Sequence, residues 1–174
     1  MIICIHHTAV SYKKNKDQFK ATDNYHKSLN YPISSLGFYV GYNYEIALNG
    51  KVSQARAVGE ITAAVPQDGM NTGKAIHICL DGNFDEEKPG EFQIYVLRDL
   101  LKKLIKEYKI DDIRGHRDYN SSKSCPGKNI DIDWIKEMVG FTPIKEEAQK
   151  QDIKKQIKKH LEEITKLLDL CPQK

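Results

Sequence analysis

The chain has 174 residues, 40% of them hydrophobic and 29% charged, enough for one domain with a real core and a soluble surface. Its 27 Lys and Arg against 24 Asp and Glu leave a net charge of only +3, which argues against a dedicated nucleic-acid binder. No apolar run approaches the ~18 residues of a membrane span, so stable membrane insertion is not expected.

"MIICIHH" opens the chain as a short Ile-rich run, predicted to be a buried strand. It is too short for a signal peptide and lacks a basic leader, so no signal peptide is visible. Residues 14–29 are polar and Lys-rich with sparse apolar anchors at Phe19, Tyr25 and Leu29, which predicts a surface helix. "FYVGYNYEIALNGKVSQAR" (38–56) reads as a hairpin turning at Asn49-Gly50. "TAAVPQDGMNTG" is loop by composition, and "KAIHICLDG" is a second buried strand.

"PGEFQIYVLRDLLKKLIKEYKI" is the clearest helix, with an apolar stripe of Phe92, Val96, Leu97, Leu100, Leu101, Leu104, Ile105 and Tyr108. "DDIRG" is a short strand or turn leading into the polar loop "GHRDYNSSKSCPGK" (115–128). "DIDWIKEMVG" is a short helix with Asp131 as cap and Gly140 as stop. Trp134 is read as the packing residue that docks it. The composition then shifts. From Glu146 to Leu170, Ile153, Ile157, Leu161, Ile164, Leu167 and Leu168 recur at helical spacing among many Lys and Glu. The alternation of strands and helices, with one hairpin, predicts an α/β fold: a mixed central β-sheet flanked by helices, followed by a C-terminal amphipathic helix. The expected division is residues 1–143 and a helical extension 144–174.

The polar loop holds His116 and Cys125, nine positions apart. Zinc favours His nitrogen and Cys sulfur, and a catalytic site uses three protein ligands. A third ligand must then come from elsewhere, with His6, His7, His26, His77 and His160 as candidates. His6 and His7 end a buried strand, a rigid place for a ligand, and alternation turns them to opposite faces. His77, inside a strand, and His26 read more simply as structural histidines. Cys4, Cys79, Cys125 and Cys171 show no disulfide spacing and are read as mostly reduced.

Five segments, "IHHTA" (5–9), "VGYNYEI" (40–46) with "NGKVSQAR", "IHICLDGNF" (76–84), "GHRD" (115–118) and "KSCPG" (123–127), together resemble, in order, the type 2 N-acetylmuramoyl-L-alanine amidases. These zinc enzymes are related to phage lysozyme-like amidases and to peptidoglycan recognition proteins. The resemblance covers roughly residues 2–138. It implies a zinc-dependent hydrolase of the amide between N-acetylmuramic acid and L-alanine in peptidoglycan. Zn2+ is the implied cofactor, with His6, His116 and Cys125 as its ligands.

The resemblance also implies catalytic roles for Tyr42, after Gly41 in the expected hairpin strand, and for Lys123, two residues before Cys125. Both are candidates to stabilise an oxyanion; without that family role Tyr42 is a packing aromatic and Lys123 a solvated loop residue. Arg56 matches a common Arg of the family, read as structural or as substrate-binding in the groove. The loop between His116 and Cys125 is one residue longer than in several relatives, and "TAAVPQ" replaces a segment that often carries a His.

The implied role is that of a phage or prophage endolysin or a bacterial autolysin, made in the cytosol and acting on the cell wall, or of a truncated secreted enzyme. The competing expectation is a non-catalytic peptidoglycan-binding module, usually marked by loss of the ligand Cys, which is present here. For the terminal helix the expected partner is the domain itself or a second copy; interleaved acids and bases favour this over a lipid surface.

Overall fold

The computed structural model describes residues 1–11 and 18–169, without side chains at 145–147, 163 and 166–169. The expected helix residues 14–17, the end of the terminal helix at Leu170, and Cys171 lie outside the described residues, as do the side chains of Leu167 and Leu168. The chain separates into two compact units, Met1–Phe141 and Thr142–Lys174.

In the first unit five strands form one mixed sheet: β1 (Ile2–His7), β2 (Tyr44–Ile46), β3 (Val52–Gln54), β4 (Ala75–Leu80) and β5 (Asp112–Gly115). Their order is β3-β2-β4-β1-β5. All neighbours are parallel except the β2–β3 hairpin. β2, β4 and β1 are the interior strands, and β1 and β4 have parallel neighbours on both edges, which explains their continuous apolar character.

Side-chain alternation gives the sheet two different faces. Ile3, Ile5, Ile76, Ile78 and Leu80 pack with Leu97, Leu101 and Leu104 of α2 (Glu91–Glu107) and Ile135 of α3 (Ile132–Val139) in the main core. The opposite face carries Cys4, Ala75, Val65 and Met70 in a smaller apolar cluster. On that side α1 (Gln18–Ser28) is tied to β2 by Thr22 Oγ1, which donates to Glu45 at 3.4 Å. Helix α3 is capped as its sequence predicts: Asp131 accepts from the Asp133 and Trp134 amides, and Gly140 closes the helix in the left-handed region at φ 65°. Phe92, expected in the apolar stripe of α2, is exposed instead.

The hairpin is shorter than expected. Residues 38–42 do not join the ladder, so Tyr42 stands in a bend before β2 and not in a strand. The reason is local: side chains satisfy the backbone there. Asp23 Oδ1 accepts from the Tyr39 and Val40 amides, and His26 Nδ1 accepts from the Gly41 amide. Arg56 supplies the other half. It is 1% exposed, and its guanidinium donates to the carbonyls of Val40, Ile61, Pro32 and Tyr39. Its donors are thus directed to carbonyls of the loops around β2. Arg56→Met is expected to strand these carbonyls at a cost of about 3 kcal/mol. Thermal unfolding should then fall by roughly 6–12 °C, and an unchanged midpoint would contradict the clamp.

The second unit contains α4 (Ile144–Asp169), which begins two residues earlier than expected. Ile153, Ile157, Leu161 and Ile164 recur along one side of it. Among the described residues, no helix is long and apolar enough to cross a membrane.

Candidate metal centre

The site forms at the C-terminal ends of β1 and β4, where β5 stops short. β5 pairs only with Ile2–Ile5 and ends at Gly115, opposite Ile5. The last two residues of β1 therefore have no strand beside them on that edge. The 116–128 loop takes this position. The His7 amide points at the Cys125 sulfur instead of at a neighbouring strand.

His6 is 1% exposed and lies on the face opposite the main core; His7, as alternation predicts, turns the other way. His7 Nδ1 accepts from the Phe84 amide at 3.2 Å. His116 opens a short 3-10 turn directly after β5. One donor atom from each of His6, His116 and Cys125 lies within 4.8 Å of the others. Cys125 Sγ is 3.6 Å from His6 Nδ1. Tetrahedral coordination with metal–sulfur near 2.3 Å and metal–nitrogen near 2.0 Å implies a sulfur–nitrogen edge of about 3.6 Å, so the donor set fits zinc.

The loop is held by its own sequence. Arg117 donates to the carbonyls of Gly127 and Ile130 at 2.9 and 2.7 Å, and its amide donates to the Cys125 carbonyl at 2.8 Å. Asp85 accepts from Ser124 Oγ at 2.6 Å and from the Lys128 amide at 3.0 Å. Gly127 has φ +101°, and a Cβ there would sit 2.5 Å from the Phe84 carbonyl carbon, so only glycine lets the two loops close. Sequence reading did not single out Arg117 and Asp85. The available signal was their place in polar turns next to the predicted ligands.

Burial sets the protonation of the donors. It pushes the Cys125 thiol up to about 11, against the pull of the His7 amide. It holds His6 well below its ordinary value, reinforced by the neighbouring His77 and His116. His116 is lowered by burial and then by the Lys123 ammonium. At neutral pH the set is therefore two neutral imidazoles and a thiol that must lose its proton to bind metal.

Tyr42 and Lys123 flank this cluster differently. The Tyr42 ring centroid is 5.0 Å from that of His6, and its hydroxyl bonds the Cys79 side chain. Burial raises its phenol well above the usual value, so it stays protonated at neutral pH. Lys123 is exposed at the loop rim. A cavity of about 380 Å³ opens beside Tyr42, lined by Thr8, Ala21, Thr22, Tyr25 and His26 among others.

His77 was read as a structural residue, yet its Nδ1 lies 3.0 Å from His6 Nε2. Its signal was a polar residue inside an otherwise apolar, fully buried strand. A second group of potential donors, Cys4, His6 and His77, shares His6 with the first and is wholly buried.

Residues 1–128 match the family described as N-acetylmuramoyl-L-alanine amidase. No functionally curated protein matches the sequence. Among solved structures, the amidase LysC from Clostridium intestinale is 28% identical with a TM-score of 0.69, over 81% of this chain and 85% of that one. The Ph2119 endolysin of a Thermus scotoductus bacteriophage is 20% identical with a TM-score of 0.62, over 79% and 83%, and shares the fold. So does peptidoglycan recognition protein LE, solved with tracheal cytotoxin, a monomeric diaminopimelic acid-type peptidoglycan: 21% identity, TM-score 0.65, 83% and 84% coverage. By the match over residues 1–128, the chain belongs to the N-acetylmuramoyl-L-alanine amidase family.

Proposed function

We propose that this chain is a zinc-dependent peptidoglycan hydrolase that cleaves the amide between N-acetylmuramic acid and L-alanine, acting on the cell wall as an endolysin or autolysin. The observation that carries this reading is the convergence of His6, His116 and Cys125 within 4.8 Å. Zinc held by these three residues supplies a Lewis acid that makes water a usable nucleophile near neutral pH and polarises an amide carbonyl.

The chain's own residues do the rest. The His7 amide and the Lys123 ammonium both favour the Cys125 thiolate over the thiol. Arg117 and Asp85 keep the sulfur-bearing loop in place. Lys123, at the rim, stabilises the negative charge that develops on the carbonyl oxygen during attack. Tyr42, whose ring packs on His6, also lines the 380 Å³ cavity, where a stem peptide would lie. The apolar stripe of α4 supports a packing or self-association role for the terminal helix.

The test is digestion of purified peptidoglycan. New L-alanine amino termini without new reducing sugar ends are the expected products. Wall binding without zinc and without peptide release would make the chain a recognition module instead. Lys123→Met should lower the turnover rate about 10²–10³-fold while leaving zinc content at the wild-type level. An unchanged rate would remove Lys123 from the chemistry.

A further inference from the structure

His77 lies outside the triad, in the strand that pairs with the one carrying His6. We propose that His77 is a positioning residue that fixes the tautomer of His6 and thereby aims His6 Nδ1 at Cys125 and His116. The inference rests on the metal-site reading above, and it deepens that reading by one residue.

The argument is a chain of donors and acceptors. His77 Nε2 lies 3.3 Å from the Met70 carbonyl oxygen. A carbonyl only accepts, so Nε2 carries the proton. A neutral imidazole then has an unprotonated Nδ1. His77 Nδ1 is 3.0 Å from His6 Nε2, so His6 Nε2 must donate. That leaves His6 Nδ1 as the lone pair, and it is this nitrogen that lies 3.6 Å from Cys125 Sγ. Both rings are essentially excluded from water, so solvent cannot substitute for either partner. A single placement of protons satisfies all three contacts.

The surrounding chain holds this relay from both ends. Asn43 Oδ1 accepts from the His77 amide at 2.8 Å, fixing the strand position of the ring. Met70 is presented by the 62–74 loop. Asn71 Oδ1 gathers that loop by accepting from the Ala64 and Val65 amides and from Thr62 Oγ1. The loop that sequence composition marks as irregular thus supplies the carbonyl from which the tautomer is set. Such partners of ligating histidines orient the ring and raise its basicity, and their loss typically weakens metal affinity about 10–100-fold.

The variants are His77→Leu, which removes the acceptor, and His77→Asn, whose Oδ1 can replace Nδ1 toward His6. Zinc affinity is measured by competition with a chelator. The His6 tautomer is read by long-range ¹H–¹⁵N NMR on wild-type protein with and without zinc. The proposal expects His6 protonated on Nε2 in both states, about 10–100-fold weaker zinc binding in His77→Leu, and recovery of most of that loss in His77→Asn.

Three results would overturn it. One is wild-type His6 protonated on Nδ1. Another is His77→Leu binding zinc as tightly as the wild type. The third is His77→Asn losing as much as His77→Leu, which would place the ion in the inner Cys4–His6–His77 group or reduce His77 to packing. If wild-type protein holds no zinc, the metal reading fails. The NMR spectrum of that same protein still decides the tautomer, so the two failures are separable. A folding defect in His77→Leu would leave the wild-type spectrum and His77→Asn to decide.

Discussion

Cys125→Ser is expected to lose zinc and amide cleavage together while keeping its fold. The serine hydroxyl does not ionise near neutral pH and offers a harder donor than thiolate. Loss of a ligand's supporting partner already costs about 10–100-fold in affinity, and loss of the ligand itself should exceed this. The free thiol sits at about 11, whereas His6 and His116 are held neutral by burial. Zinc uptake by the wild type at pH 7 should therefore release at least about one proton per ion, the one lost by Cys125. Calorimetry in two buffers of different ionisation enthalpy reads this directly. Retention of stoichiometric zinc by Cys125→Ser would place the ligand elsewhere. Release of no proton would mean that the sulfur is not bound as thiolate.

The metal-free protein should lose stability steeply between pH 6.5 and about 4. Burial lowers five histidines: His6, His7, His26, His77 and His116. For His26 and His77 the folded value is about 4, against 6.5 in the unfolded chain. In that window the unfolded chain binds protons that the folded one excludes, so stability falls as pH falls. It is fully present above 6.5 and lost progressively down to 4. Each such histidine costs roughly 1.4 kcal/mol per pH unit. The depressed carboxylates Asp85, Asp111 and Asp112 withdraw their own contribution mainly below this window, and Glu60 begins to do so near its ordinary value of 4.5. Denaturant melts at pH 7 and 4.5 should differ by several kcal/mol. His26→Asn keeps an acceptor for the Gly41 amide without the titration, and it should flatten the profile by one residue's share. A melt that is flat across this range would show that the imidazoles charge freely in the folded state.

Much of this molecule was legible in its sequence where one local rule decided the outcome. The alternation of β1 separates His6 from His7. The period of α2 selects Leu97, Leu101 and Leu104 for the core, and Asp131 and Gly140 delimit α3. Expectations failed where distant groups overrode local pattern. Phe38, Tyr39 and Val40 have strand composition, but Asp23, His26 and Arg56 take up the backbone groups of this stretch that a ladder would use. His77 looked structural because its partners, His6 and Met70, become visible only once β1 and β4 are paired. The resemblance named the three donors, but it carried no information on Asp85, Arg117 or the Met70 carbonyl that surround them.

An interior strand of the sheet, β1, is also the earliest of the five in chain order. β1 has no sheet neighbour before Ala75, and its other edge waits for Asp112. His6 and Cys125 are 119 residues apart. During synthesis, then, the amino-terminal strand must remain unpaired until most of the domain has left the ribosome, and no partial chain can assemble the three donors. On the proposed reading, a chain that stops short of the 116–128 loop would lack both the metal site and any hydrolytic capacity toward a wall.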